Sequence, residues 1–327
     1  MVGLCSFNCD KCNYKEYCGG CSLCEAAICK HYCSRCEALC PHRIAAIKYF
    51  DSLKGPYFSL LENHNIELPK NIPVLPDKLN VKINKNIIPV IGVHAGNMFS
   101  RNGRKINNRY LEKGYAGALN VDPNIKAILE FYTKDRTLEG FWENRMNIYN
   151  DIKKLEFYAV ISPNYSVYED APRIDHLYNI KRTAIVYNEM IERGINAVPD
   201  ISWYGINDLE RWCNEINKSK CKVISFSFQV VDIALKASTT WKNYLLAFRY
   251  LCQNISPDVK IIIAGIISHR RIEQIQLATT ACQSIHILNQ SAYVQSRRGI
   301  LSETMDKYDD INFDELFLKN LNFYNNY

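Results

Sequence analysis

The sequence predicts an α/β chain, a TIM-like (β/α)8 barrel preceded by a small cysteine-rich domain that binds a metal or a cluster. Three observations carry this. Ten of the 14 cysteines fall within the first forty residues. From residue 88 onward, short apolar runs alternate with amphipathic helical stretches in units of about 30 residues, the rhythm of a parallel sheet with covering helices. Seven or eight such units over ~240 residues fit a closed barrel better than an open doubly wound sheet, which is the alternative. No G-x-G-x-x-G follows a strand, so a dinucleotide site has no support.

The domains expected are residues 1–42 (cysteine-rich), 43–87 (helix and linker) and 88–327 (barrel). The first contains Cys5, Cys9, Cys12, Cys18, Cys21, Cys24, Cys29, Cys33, Cys36 and Cys40. Such density means either disulfides or metal thiolates. Neither a basic segment nor an apolar run of secretory type precedes Cys5, so a cytoplasmic, reducing location is expected, where thiols stay free for metal. Cys18-x2-Cys21-x2-Cys24 and Cys33-x2-Cys36-x3-Cys40-Pro41 are the two halves of the bacterial ferredoxin pattern, spread over a longer segment. One or two 4Fe-4S iron–sulfur clusters are therefore favoured. Zinc on paired C-x2-C knuckles such as Cys9/Cys12 and Cys33/Cys36 is the alternative. Cys29-x3-Cys33-x2-Cys36 has the spacing of radical S-adenosylmethionine enzymes, but it precedes any barrel strand.

Next, Ile44, Ile47, Phe50 and Leu53 step by three, which predicts a helix over 42–54, broken at Gly55-Pro56. Pro69, Pro73 and Pro76 mark residues 65–87 as linker. The strands expected are 88–93, 115–121, 158–162, 196–202, 223–228, 260–266 and 284–288. The helices expected are 124–133, 138–154, 172–193, 206–218, 240–255 and 268–280. The helix at 172–193 is the clearest, with Ile174, Leu177, Ile180, Ala184, Tyr187 and Ile191 on one stripe and Gly194 just beyond its end.

Composition bounds the rest. A hydrophobic content of 47% is enough for a full core. The net charge of +6 permits nucleic-acid contact without demanding it. The longest apolar run, 261–267, is far too short to cross a bilayer, so no membrane partner is expected.

A barrel places its chemistry at the C-terminal ends of its strands. That rule nominates His94 and Asn97 after the first predicted strand and Asp170 beyond the third. It nominates Asp200 and Trp203 after the fourth, Gln229 after the fifth, and Tyr293 and Arg298 after the last. Asp200, Asp170 and His94 are the catalytic candidates, the two carboxylates for acid–base or nucleophilic work. Asn97, Trp203, Gln229, Tyr293 and Arg298 are the substrate-binding candidates, Trp203 as a stacking surface for a base and Arg298 for phosphate. Each has a plainer reading. His94 fits a satisfied rim histidine, Asp200 a turn residue, Trp203 an apolar seal and Arg298 a solvated cation. The grouping of polar and aromatic types at one predicted face favours a site.

Three resemblances add to this. Cys5-x3-Cys9-x2-Cys12, Cys18-Gly-Gly-Cys21 and Cys33-x2-Cys36 resemble a small cysteine-rich family of unknown function. The stretch Ser162-Pro-Asn-Tyr-Ser-Val-Tyr-Glu-Asp170, then Asn179-Ile-Lys-Arg182, then Gly194 to Trp203, resembles an uncharacterised family of phages and mobile elements. More loosely, His94-Ala-Gly-Asn97, Ile263-Ala-Gly265-Ile and Asn289-Gln-Ser291-Ala-Tyr293 with Arg298-Gly299 follow the motif order of the TIM-barrel transglycosylases that exchange guanine for 7-deazaguanine in tRNA or DNA. That resemblance implies action on a nucleobase in nucleic acid. It departs at His94 and at Asn289/Gln290, where those enzymes carry acids, and their C-terminal zinc site has no counterpart around Cys282.

The function expected is therefore an enzyme with a metal cluster acting on a nucleobase or nucleotide, free or within DNA or RNA, in the manner of a transglycosylase. A catalytically silent barrel that binds nucleic acid or a partner beside a structural zinc or iron–sulfur module is the first alternative. An iron–sulfur redox enzyme is the second.

Overall fold

The computed structural model describes residues 52–80, 82–167, 173–229, 239–266, 268–280 and 283–325. The ten N-terminal cysteines, Asp170 and Cys282 lie outside the described residues, as does most of the helix predicted over 42–54.

Among the described residues, eight strands alternate with helices. The strands are β1 (Asn71–Leu75), β2 (Val90–His94), β3 (Lys126–Glu130), β4 (Ala159–Ile161), β5 (Ala197–Val198), β6 (Val223–Ser227), β7 (Lys260–Ala264) and β8 (Ile285–Asn289). The helices are α1 (Ala95–Met98), α2 (Asn108–Leu119), α3 (Asp135–Lys154), α4 (Arg173–Glu192), α5 (Ile206–Ser219), α6 (Thr239–Asn254), α7 (His269–Gln276), α8 (Ser291–Arg297) and α9 (Phe313–Asn325).

The strands form one sheet in the order β5-β4-β3-β2-β1-β8-β7-β6, and every pairing along it is parallel. The outermost strands, β5 and β6, meet through a single parallel bridge between Asp200 and Ser225. Its hydrogen bonds run from Ser225 N to Pro199 O and from Ile201 N to Ser225 O, each 2.9 Å. The barrel is therefore nearly closed, with a thin seam.

Below that bridge the seam is held by a side chain. Asn63, 3% exposed, lies on the stretch that runs beneath the barrel. Its amide donates to Ala197 O on β5 (3.3 Å) and to Val223 O on β6 (2.7 Å). Its carbonyl accepts from the backbone N–H groups of Lys222 (2.7 Å) and Val223 (3.3 Å). One carboxamide thus replaces part of the ladder that the short β5 cannot supply. The same stretch is fixed by Tyr187 OH to Leu61 O (2.6 Å) and by Lys260 Nζ to Ile66 O (2.8 Å).

Side chains alternate between the barrel interior and the helices, as strand geometry requires. Ile72, Val74, Val90, Ile128, Ala159, Ile161, Val198, Val223, Ile262 and Leu288 form one buried cluster, which Ile66 closes from below. Continuing the same two-residue step toward the C-terminal ends reaches His94, Glu130, Asp200, Ser225 and Ser227. The interior is apolar at its base and polar at its mouth.

Three sequence expectations are corrected. Residues 115–121, read as a strand, lie mostly in α2, which buries Tyr110, Ala118 and Leu119 and ends at Asn120 in the left-handed region (φ 60°). Residues 124–133, read as a helix, contain β3, which pairs with β2 from Val90↔Lys126 to His94↔Glu130. Both errors share one cause. A central parallel strand is buried on both faces, so Ile125, Ile128, Leu129 and Tyr132 mimic helical spacing, while a run of small apolar residues in α2 mimics a strand. Third, β1 lies in the stretch read as linker. Its Pro73 gives no N–H to the ladder although β2 and β8 flank the strand, and a proline there argues against a central strand, which is why the stretch reads as linker. The remaining predicted elements from residue 88 onward occur near their expected bounds, and α1, α8 and α9 are additions.

Candidate active site at the barrel mouth

Three strand ends supply the central residues. Parallel register sets His94, the last residue of β2, beside Glu130, the last of β3. Their side chains form an ion pair, Nδ1 to Oε1 at 2.5 Å, with Glu130 2% exposed and His94 19%. Burial opposes a charge on His94, but hydrogen bonding to Glu130 and its negative charge outweigh this and raise the imidazole above its ordinary value. The ring stands where it does partly because Gly96 carries no side chain, since a Cβ there would fall 2.5 Å from His94 Nε2 and 2.7 Å from Thr133 Oγ1.

The second carboxylate oxygen of Glu130 accepts the backbone N–H of Tyr132 at 2.6 Å. The Tyr132 hydroxyl donates to Asp200 Oδ1 at 3.0 Å and lies 2.7 Å from Ser225 Oγ. His94, Glu130, Tyr132 and Asp200 therefore form a continuous chain across the mouth. Asp200 is fully buried, and Ser162 Oγ accepts its backbone N–H at 3.0 Å. Burial is the largest influence on its carboxyl and pushes it up to about 7. Hydrogen bonds from Asn164, Tyr132 and Ser225 restrain the rise, and the Glu130 charge adds to it. The same burial and the neighbouring Asp200 charge push the Tyr132 phenol well above its usual value. The result is an acid poised near neutrality, linked by a hydroxyl that stays protonated.

The loop after β5 is held rigidly. Asp208, at the start of α5, accepts the backbone N–H groups of Tyr204 (3.1 Å) and Gly205 (3.2 Å). Trp212 Nε1 donates to Ser202 O at 2.8 Å. These contacts fix Ser202 and Trp203 against the mouth.

Two cavities open there. One, of about 220 Å³, is lined by Phe131, Asn164, Ser202, Trp203, Gln229 and Tyr244 among others. The other, of about 330 Å³, is lined by Glu130, Gln229, Gln290, Gln295 and Arg298 among others. Tyr132 and Gln229 belong to both walls. Gln229 holds this place because Gly265, at φ +85°, lets its backbone approach. A Cβ on Gly265 would lie 2.5 Å from Gln229 N.

The predicted residues therefore divide. His94, Asp200, Trp203, Gln229 and Arg298 converge on the mouth. Asn97 instead ties the end of β1 to α1, donating to Pro76 O while its own carbonyl accepts from Asn107. Tyr293 packs on α9, 5.5 Å from Phe313 and 6.2 Å from Phe317 between ring centres. Asp170 and the ten cysteines are outside the described residues. Among the described residues no group of three or more His, Cys, Asp or Glu side chains could hold a metal ion. Cys213, Cys221 and Cys252 are free and buried.

Sequence reasoning missed Glu130, Tyr132 and Ser225. The first two sit in the stretch misread as a helix. The signal that marks them is the run Lys126-Ala-Ile-Leu-Glu130, a short apolar strand ending in an acid.

Residues 118–279 match the model of a Domain of unknown function (DUF4417). The match runs from the end of α2 through α7 and contains the stretch that resembles an uncharacterised family, together with Glu130, Tyr132, Asp200 and Trp203. Compared with curated proteins, the sequence returns no match. No described helix is long and apolar enough to cross a membrane.

Proposed function

We propose that the barrel mouth is the active site of an enzyme that performs acid–base chemistry on a nucleobase or nucleotide, free or within DNA or RNA. The observation that carries this is the buried Asp200, poised near neutral pH and bonded through the Tyr132 hydroxyl to a cavity walled by Trp203 and Tyr244. An acid near pH 7 both gives and takes a proton at working pH, and such transfer contributes about 10²- to 10⁴-fold in rate. Asp200 is sealed from solvent, so Tyr132 is the group that meets the ligand, and Asp200 holds the proton behind it. Trp203 offers a face for stacking, and Asn164 and Gln229 offer amides for a base edge. Glu130, on the wall of the second cavity, supplies a carboxylate near the place where the transglycosylase resemblance lacked one. Base exchange in that manner is the reaction we favour. Asp170 keeps its place as a second acid–base candidate from the sequence.

The N-terminal cysteines would hold an iron–sulfur cluster, with zinc as the alternative. Iron, sulfide and zinc analysis of protein purified without oxygen separates the two. A colourless protein with zinc alone removes the cluster and with it the redox alternative.

The test of the mouth is incorporation of a labelled nucleobase into, or release of a base from, tRNA, DNA and free nucleosides. Asp200→Asn, checked to be folded, is expected to lower turnover about 10²- to 10⁴-fold. Undiminished turnover removes Asp200 from the chemistry. If every substrate is inert while nucleic acid still binds, the silent-scaffold reading replaces the enzyme.

A further inference from the structure

The two cavities are unequal in chemistry as well as in size, and the difference specifies a ligand. The Trp203 cavity, at about 220 Å³, is smaller than the ~300 Å³ at which small-molecule sites commonly begin, so it suits one part of a molecule. Four aromatic rings share its wall with amides and hydroxyls, and Ser202, 3% exposed, belongs to that wall with a buried Oγ that has no hydrogen-bond partner among the described residues. A buried hydroxyl in that condition is costly unless a ligand satisfies it. A flat ring with polar edges meets both demands.

The larger cavity carries the exposed Arg298, which forms no ion pair among the described residues. The acid on the same wall, Glu130, is already engaged by His94. A guanidinium in that position favours an anion, and its fork fits the oxygens of a phosphate. Gln229 and Tyr132 line both cavities between the two ends, and on the larger one Gln295 Oε1 is buried without a partner among the described residues. That oxygen can accept from a hydroxyl on the part of the ligand that passes Gln229 and Tyr132.

We infer that the mouth binds a two-part ligand, a heteroaromatic ring in the Trp203 cavity and a phosphate against Arg298, joined by a hydroxyl-bearing linker across Gln229 and Tyr132. A nucleoside monophosphate unit is the simplest molecule of this class. The inference rests on the nucleobase reading above and adds the phosphate end and the span.

Calorimetric titration of the full chain with the four nucleosides, their 5′-monophosphates and ribose 5-phosphate tests it, on the unaltered protein and on Arg298→Gln. Arg298 is exposed, so its replacement leaves the core intact. The monophosphate of at least one base is expected to bind about tenfold or more tightly than its nucleoside, and than ribose 5-phosphate. Arg298→Gln is expected to erase the first difference while leaving nucleoside affinity within about twofold. Equal affinity for nucleoside and monophosphate, or a preference that survives Arg298→Gln, overturns the two-part ligand but leaves the nucleobase reading standing. Ribose 5-phosphate binding as well as the nucleotide overturns both, as does failure of every compound and of a short single-stranded oligonucleotide to bind. That oligonucleotide, as a further titrant, separates the sources. Tighter binding than the mononucleotide assigns the unit to a strand, and equal or weaker binding assigns it to the free nucleotide.

Discussion

Asp200 and Ser225 are partners in the one bridge that closes the barrel, and both also meet the Tyr132 hydroxyl. Closure and candidate chemistry thus share the same two residues. A change in the seam is a change in the surroundings of the acid.

Asn63 is expected to matter more than an isolated polar residue. Asn63→Ala leaves the peptide groups of Lys222 and Val223 and the carbonyl of Ala197 without their partner, at a cost of about 2–4 kcal/mol. Hydrogen exchange should quicken at the Ile201 and Ser225 amides, which carry the closing bridge. Exchange at those amides equal to that of the unaltered protein would show that Asn63 does not hold the seam.

Asp200 imposes a pH dependence of known sign. Its carboxyl is raised to about 7 in the fold, so the folded state binds more protons than the unfolded chain between about pH 4 and 7. Stability therefore falls as pH rises through that window, by up to the order of 4 kcal/mol, and this contribution is flat above it. Asp200→Asn should lose the decline and be the more stable protein at pH 8. Urea denaturation at pH 5 and pH 8 measures this, and identical pH slopes for the two proteins would contradict the raised value.

Tyr132→Phe removes a hydroxyl that favours the Asp200 carboxylate. The acid is expected to titrate still higher, and folding to weaken by about 1 kcal/mol as Ser225 Oγ and Asp200 Oδ1 lose their partner. Infrared titration of the carboxyl band reads the shift. A downward movement would mean that the phenol acts on Asp200 otherwise than through this bond.

The His94–Glu130 pair has the same pH sense in a higher window. A histidine raised in the fold stabilises fully below about pH 6.5 and loses that contribution as pH climbs through its raised value. Glu130→Gln is expected to cost about 1–3 kcal/mol at pH 6 and less at pH 9. The His94 imidazole should then titrate at a lower pH in NMR spectra. An unmoved imidazole would exclude Glu130 as the cause of its elevation.

The alternation of helical stripes with apolar runs was enough to predict a parallel α/β barrel and the bounds of α3, α4, α5 and α6, because those signals are local and each helix buries one stripe. Asp200, Trp203, Gln229 and Arg298 were also legible, since a strand ending in a polar or aromatic residue marks the mouth of such a barrel. Where periodicity was ambiguous, the tertiary structure decided. The same apolar spacing serves a buried strand and a short helix, and only pairing with β2 makes Lys126–Glu130 a strand and sets Glu130 against His94. Asn63 in its stretch reads as a polar linker residue, and it becomes a seam lock only because the closed barrel brings two unsatisfied strand ends to it from more than a hundred positions away. Sequence determines what each segment can bury. Which polar groups then lie within hydrogen-bonding distance follows from closure, which no local pattern encodes.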